Sequence, residues 1–465
     1  MLRNKKGSRS CGGGLLLGYE LNDHYAQISY QLSGHQEVET LSVIEGTTHC
    51  NIPLMLWKRK GVNQWLFGKE AAGAGGLEGT GVERLLTLVR REEPVIIEGE
   101  DFDPAALLTL FIMKSLALVN RVCPLEKLDG LMFTVEDLDG RMIEILQRIC
   151  SNLHLETDRI FFQSHVESFY HYMLHQPEEL WSYKTLLCDY DYQRLVVHEL
   201  GCNRKTNPRV LYIDSYSYPK IRKIKTGPEA DRELDQQFLE VIRPHCERSV
   251  ISCVYLVGEG YKEDWCDETI RYLCRNRKGF KGNNLYSRGA CYGIMDRMAR
   301  MDRPEAEQAG SEYVFLSKDK LRMNLSMQVM KRGVESRFVI MNAGTNWFDA
   351  RRQFDLILES EDTITMRLTP LTGGEPREIF LQLDELEELK EMKERPPWTT
   401  RLRLDVWMKT DRHLVIRVKD LGFGDFFPAS GAVWIKEFDL AQQFDRQDKE
   451  KDVRPEGVMQ RISGS

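Results

Sequence analysis

One order of elements, three strands and then helix, strand, helix, strand, helix, can be traced twice within the first 300 residues of this chain. A layered α/β unit that recurs without recurring in sequence builds two facing lobes, so the chemistry to look for lies in the cleft between them. In the first pass, Leu15 to Leu21, Ala26 to Leu32 and Glu39 to Glu45 are short β-prone runs separated by polar turns. Further extended pieces follow at Asn51 to Trp57 and Trp65 to Gly68. Asp101 to Val122, with acidic residues and Pro104 at its start, reads as a helix. A strand at Gly130 to Val135, a helix at Leu138 to Leu153, a strand at Arg159 to Gln163 and a helix through Phe169 to His175 complete the set.

The second pass begins at Tyr183, with strands at Leu186 to Tyr190, Arg194 to Leu200 and Pro208 to Asp214. The amphipathic run Glu229 to Cys246 is its first helix. A strand at Cys253 to Val257, a helix at Asp264 to Cys274, a brief strand at Asn284-Leu285-Tyr286 and a helix at Arg288 to Ala299 close it. Beyond the polar stretch Met301 to Ser311 the pattern turns to alternating segments: Tyr313 to Leu316, Arg337 to Met341, Phe354 to Leu358, Thr363 to Leu368, Glu378 to Leu383, Arg401 to Trp407 and His413 to Val418. Their spacing is that of an antiparallel sandwich. The mixed-charge run Asp384 to Glu394 reads as a solvated helix or loop.

The expected organisation is a disordered leader at 1–13, a first lobe at 14–178, a second at 179–300, a linker at 301–311, a β-sandwich at 312–440 and a disordered tail at 441–465. A net charge of −7 argues against nucleic acid or a membrane surface as partner, since phosphate binding needs a positive field. No run approaches a membrane span. Eleven scattered cysteines, none in a CxxC pair, read as reduced thiols packed in the core of a cytoplasmic protein.

Several segments bear a resemblance. Gly18-Tyr-Glu20-Leu-Asn22-Asp23 and Leu187-Cys-Asp189-Tyr-Asp191 resemble the two phosphate hairpins of the actin, sugar-kinase and heat-shock ATPase superfamily. Val254 to Gly260 resembles its adenosine-site strand and turn, and Arg288-Gly289-Ala290 the opening of its last helix. Ile52-Pro53 with Phe67 to Ala71, and Asn342 to Thr345 with Asp405 to Gly424, are similar to the heat-shock-70-like chaperone branch, of which the chain looks like a divergent bacterial-type member. The resemblance implies an α/β fold of two ribonuclease-H-like lobes in actin-like ATPase architecture, followed by an antiparallel β-sandwich. It also implies a nucleotide cleft built from Gly18, Glu20, Asn22, Asp189, Gly258, Gly260, Tyr261 and Gly289, with Gln163 at the position of a family glutamate and ATP with Mg²⁺ as the cofactor.

The chemistry of that cleft needs glycine, because backbone N–H groups must come within bonding distance of the phosphates. Here Asn22 replaces a hairpin glycine, Asp23 and His24 stand where threonines would be, and Asp191, Tyr192 and Gln193 fill three glycine positions. His165 replaces a threonine between the lobes. A carboxylate aimed at a phosphate repels it. The expectation is therefore a degenerate nucleotide site with little or no hydrolysis and a protein or peptide partner bound through 312–440. An active ATPase using Glu20 and Asp189 for Mg²⁺, and a filament-forming scaffold, are the alternatives. His165, His171 and His175 with Glu167 have a spacing that could hold a metal, although a packed helix face is the commoner cause.

Overall fold

A computed structural model describes residues 14–35, 37–44, 46–155, 157–301, 312–331, 333–359, 363–371, 375–382 and 395–440. The expectations for the leader, the linker after Met301, the run Asp384 to Glu394 and the tail lie outside these. The chain divides into two compact units, Met1–Tyr313 and Val314–Ser465. The first is mixed α/β and the second is all antiparallel β.

The first unit holds two sheets of one plan. In the first, β1 (Leu15–Leu21), β2 (Tyr25–Leu32), β3 (Glu39–Thr40), β4 (Leu128–Val135) and β5 (Ile160–Ser164) run in the order β5-β4-β1-β2-β3. Strand β1 is antiparallel to β2 and parallel to β4, which is parallel to β5. Three helices accompany it: α1 (Pro104–Leu116), α2 (Gly140–Leu153) and α3 (His165–Leu174). Each starts at a side chain that satisfies a backbone donor the first turn leaves free: Asp103 takes Ala105 N–H, Asp139 takes Met142 N–H and Ser164 takes Glu167 N–H.

The second sheet comprises β6 (Lys184–Tyr190), β7 (Leu195–Asn203), β8 (Arg209–Tyr218), β9 (Ile251–Val257) and β10 (Lys278–Lys281), in the order β10-β9-β6-β7-β8. Again the first two strands are antiparallel and the later two join in parallel. Its helices are α4 (Pro228–Arg248), α5 (Asp267–Leu273) and α6 (Leu285–Met301). The expected strand at Asn284 to Tyr286 is instead the start of α6, and the edge strand is the basic run Lys278–Lys281. Helix α6 leaves its own sheet and packs on β1, β2, β4 and α3. Close approach there demands glycine: a Cβ on Gly18 would fall on the α6 backbone at Ser287 and Cys291, and one on Gly289 on the Ser168 carbonyl of α3.

Between β3 and α1 lies an insertion with a three-stranded sheet (Met55–Arg59, Trp65–Phe67, Gly79–Glu83) and a hairpin (Val95–Ile97, Glu100–Phe102). The helical run Pro104–Arg121 has a mean hydropathy of 1.3, long and apolar enough by composition for a membrane span, contrary to the expectation that none exists. Its apolar residues Leu107, Leu108, Phe111, Ile112 and Leu116 are core, which accounts for that composition by packing. Among the described residues nine cysteines are free, but Cys123 is disulfide-bonded, a correction to the all-thiol reading; spacing cannot reveal pairing between distant positions.

In the second unit two four-stranded sheets surround one apolar cluster. One has β11 (Met323–Lys331), β12 (Val334–Met341), β14 (Thr363–Pro370) and β15 (Arg377–Gln382) in the order β12-β11-β14-β15. The other has β13 (Arg351–Leu358), β16 (Thr400–Met408), β17 (His413–Asp420) and β18 (Val433–Asp439) in the order β13-β16-β17-β18. Alternation places Leu402, Leu404 and Val406 inward and Arg401, Arg403 and Trp407 outward.

Candidate functional site

Because the two sheets share one plan, their first hairpins are equivalent residue by residue. The last rungs are Leu21↔Ala26 and Tyr190↔Leu195, leaving four-residue turns at Asn22 to Tyr25 and Asp191 to Arg194. Asn22 N–H donates to the Tyr25 carbonyl (3.1 Å), and Asp191 N–H to the Arg194 carbonyl (3.4 Å). Asn22 Oδ1 accepts from the backbone N–H of His24 and of Tyr25, both at 2.9 Å. Asp191 Oδ1 accepts from the N–H of Gln193 and of Arg194, both at 3.0 Å. Each turn therefore spends two of its backbone donors on its own first side chain, the Asx-turn geometry that Asn and Asp favour.

The remaining turn residues are also engaged. Asp23 accepts from Thr87 N–H (3.0 Å) and Oγ1 (2.5 Å), tying the first turn to the insertion. Tyr192 sits at a φ of 69° with its carbonyl bonded to Lys223 N–H at 2.9 Å. Arg194 reaches across to Glu136, which follows β4.

Two residues before each turn, Glu20 and Asp189 are the penultimate residues of β1 and β6. Glu20 is 0% exposed, and the Tyr25 side chain and the Ser287 backbone are the hydrogen-bonding groups that support its carboxylate. Burial first, and the nearby Asp189 carboxylate second, push its acid up to about 8. Asp189 accepts from Tyr286 Oη at 2.8 Å, yet burial still raises it to about 7. The Tyr286 ring stacks on His165, centroids 4.2 Å apart, and burial lowers that imidazole to about 3. Glu259 adds a third carboxylate, bonded to Asn51. Glu20 and Asp189 in this centre thus prefer to keep their protons, and His165 refuses one.

The structure brings Glu20, Asp189, Asn22 and the turn residues together around this centre, but gives most of the other residues assigned to the cleft different work. Gly18 and Gly289 are the packing glycines beneath and on α6. Gly258, at a φ of 106°, lies against the Tyr190 carbonyl, and a Cβ on Gly260 would fall on the Tyr190 ring. Tyr261 is core, packed with Tyr190, Phe238 and Trp265. Gln163 Nε2 donates to Ser168 Oγ (2.7 Å), which meets Thr134 Oγ1 at 2.7 Å, a tie between α3 and β4. Tyr25, Glu136, Glu259 and Tyr286 belong to the centre and carry no sequence signal of their own.

The histidines do not form a metal centre. Asp296 of α6 accepts from His171 Nδ1 (2.9 Å) and His175 Nε2 (3.0 Å), while His165 lies elsewhere against Tyr286. Among the described residues no group of three or more His, Cys, Asp or Glu is placed to hold a metal ion. Helical spacing put the two imidazoles on one side of α3, and a carboxylate on α6 took them up.

Comparison with known families returns two matches. The model described as "Family of unknown function (DUF5716) C-terminal" covers residues 37–318, and that described as "Domain of unknown function (DUF8552)" covers residues 320–440. No curated protein matches the chain.

Proposed function

We propose that this chain, which belongs to the DUF5716 family of unknown function, is a nucleotide-independent platform that binds proteins or peptides, built on an actin-like ATPase scaffold whose fuel site is closed by its own side chains. The shared strand order of the two sheets, and the last helix crossing from the second lobe onto the first, support the scaffold. Fold analogy carries architecture further than activity, so the activity rests on the site. One observation carries it: Asn22 and Asp191 occupy the very backbone donors that a triphosphate would require from the two hairpins. Opening both turns would forfeit four hydrogen bonds at about 1 kcal/mol each before any ligand bond forms. Glu20, Asp189 and Glu259 add negative charge or buried acid where phosphate oxygens would sit. The second unit supports the binding half of the reading through large apolar side chains left in solvent, among them Phe426 and Ile435.

Thermal melts with and without Mg-ATP and Mg-ADP test this. A ligand at about a hundred times its dissociation constant stabilises by about 2.7 kcal/mol, a readily measured shift. The reading expects none. A clear shift, or ATP turnover that disappears in Asp189→Asn, would overturn it.

A further inference from the structure

The outer face of the β13-β16-β17-β18 sheet differs in charge from the chain that carries it. Across the four strands this face presents Arg351, Arg401, Arg403, Arg417 and Lys419 against Asp355, Asp405, Glu437 and Asp439, in a chain of net charge −7; the two β18 carboxylates stand at the end away from Lys419, where Glu437 pairs with Lys409. Asp355 and Asp405 are each shared. Asp355 accepts from Arg401 (2.7 Å) and Arg403 (2.7 Å), and Asp405 from Arg351 (2.7 Å) and Arg417 (2.6 Å). Lys419 is exposed, with no ion pair among the described residues. Two guanidiniums to one carboxylate leave a positive field at the end of the sheet beside Lys419, and the shared pairs hold those guanidiniums in fixed positions.

Beside this strip the sheet ends in β18, whose outward residues Glu437 and Asp439 guard one end of the edge while the other end is uncharged. Exposed edges are ordinarily guarded by charge, by proline or by a bulge. Here the outward residues opposite Lys419 and Arg417 are Val433 and Ile435, the latter 61% exposed. The loop from β17 to β18 adds Phe426, 92% exposed. That loop is anchored rather than slack. Asp420, fully buried, accepts from Arg395 at 3.0 and 2.9 Å, from Gly422 N–H at 2.9 Å and from Ser430 N–H at 2.8 Å. A buried carboxylate with four donors fixes both ends of the loop, so displaying the phenylalanine costs little further ordering when a partner arrives.

Resting on the protein-binding reading above, we propose that β18, the loop bearing Phe426 and the adjoining cationic strip form the docking face, and that its occupant is an extended acidic segment of a partner protein. Such a segment adds through main-chain hydrogen bonds to the edge of β18 that pairs with no strand among the described residues. Its apolar side chains lie on Phe426, Val433 and Ile435, and its carboxylates lie toward Lys419 and Arg403. Charge complementarity selects the acidic partner over a neutral or basic one, and strand addition explains why apolar residues stand exposed on an edge.

The test is fluorescence anisotropy with the full-length chain and two labelled synthetic peptides, one alternating glutamate with phenylalanine and one alternating lysine with phenylalanine. The acidic peptide is expected to bind about tenfold tighter, a difference that shrinks as salt is raised. Lys419→Glu should weaken it roughly fivefold and Phe426→Ser about tenfold, both being surface changes outside the fold's core. Equal binding of the two peptides, or no binding of either, overturns the proposal. Tight acidic-peptide binding that both variants retain overturns this face while leaving a protein-binding chain in place. Failure of the nucleotide-independent reading shows separately, as a melting shift with Mg-ATP.

Discussion

Replacing Glu20 by glutamine should stabilise this protein, and do so more as the pH rises. The side chain is fully buried near the end of β1 with Asp189 close by, and that burial outweighs the support its carboxylate takes from Tyr25 and the Ser287 backbone. Its acid is shifted from 4.5 up to about 8. The folded protein therefore holds this proton more tightly than the unfolded chain does. Stability from it is complete below about 4.5 and is lost progressively as the pH climbs to about 8. At about 1.4 kcal/mol per pH unit the loss across that window is on the order of 4 kcal/mol, an upper bound because Asp189 titrates with it. An amide of the same shape carries no charge to desolvate. Urea denaturation across this range should find Glu20→Gln within about 1 kcal/mol of the parent at the acid end and several kcal/mol more stable at the alkaline end. A variant that is less stable at alkaline pH, or one that keeps the parent's slope, would refute the argument and show that Glu20 is ionised and satisfied.

Two further outcomes follow from packing and charge. Gly289→Ala places a methyl group on the Ser168 carbonyl where α3 and α6 touch, and should cost about 1–3 kcal/mol in urea denaturation; a neutral effect would mean the helices can part. Asp296→Asn removes the shared partner of His171 and His175. His171 is buried and, despite that burial, raised above its ordinary 6.5 by Asp296 and Glu167, so the clamp contributes fully below 6.5 and fades as the pH rises through the folded value. The variant should therefore lose about 2 kcal/mol more at mildly acidic than at mildly alkaline pH, measured by paired denaturation curves.

Much of the first unit was legible because strand and helix periods are local. Leu15 to Leu21 reads the same in sequence and structure, and Asp101 to Val122 differs from α1 mainly at its ends. The β region was read less completely. Met323–Lys331 was missed although Met323, Leu325, Met327 and Val329 alternate with Asn324, Ser326 and Gln328, while in Val433–Asp439 the run Val433-Trp434-Ile435 followed by Lys436-Glu437 breaks the alternation that a half-buried strand should show. The insertion strand Gly79–Glu83, with two glycines in five residues, reads as a loop until Met55–Arg59 pairs with it. Lys278–Lys281 is wholly exposed and has Phe280 as its one apolar residue, too little for a pattern, so its role passed to the neighbouring Leu285 and Tyr286. At the site, the substitutions at Asn22 and Asp191 were visible from the start. What they do, capping their own turns, depends on backbone geometry that residue identity alone leaves open.

Helix α6 has a bearing on how the polypeptide assembles during synthesis. The strand it covers leaves the ribosome well before the helix does, since the hydroxyl pair Ser29–Ser287 that seals helix to sheet joins residues 258 positions apart. Until that distant helix emerges, Leu16, Met132 and the groove above Gly18 have nothing to cover them, so the nascent first lobe must wait, exposed and prone to adhere to neighbours, for the end of the second. Fragments ending before Leu285 are thus expected to be insoluble, and the two lobes to be gained or lost as one cooperative body.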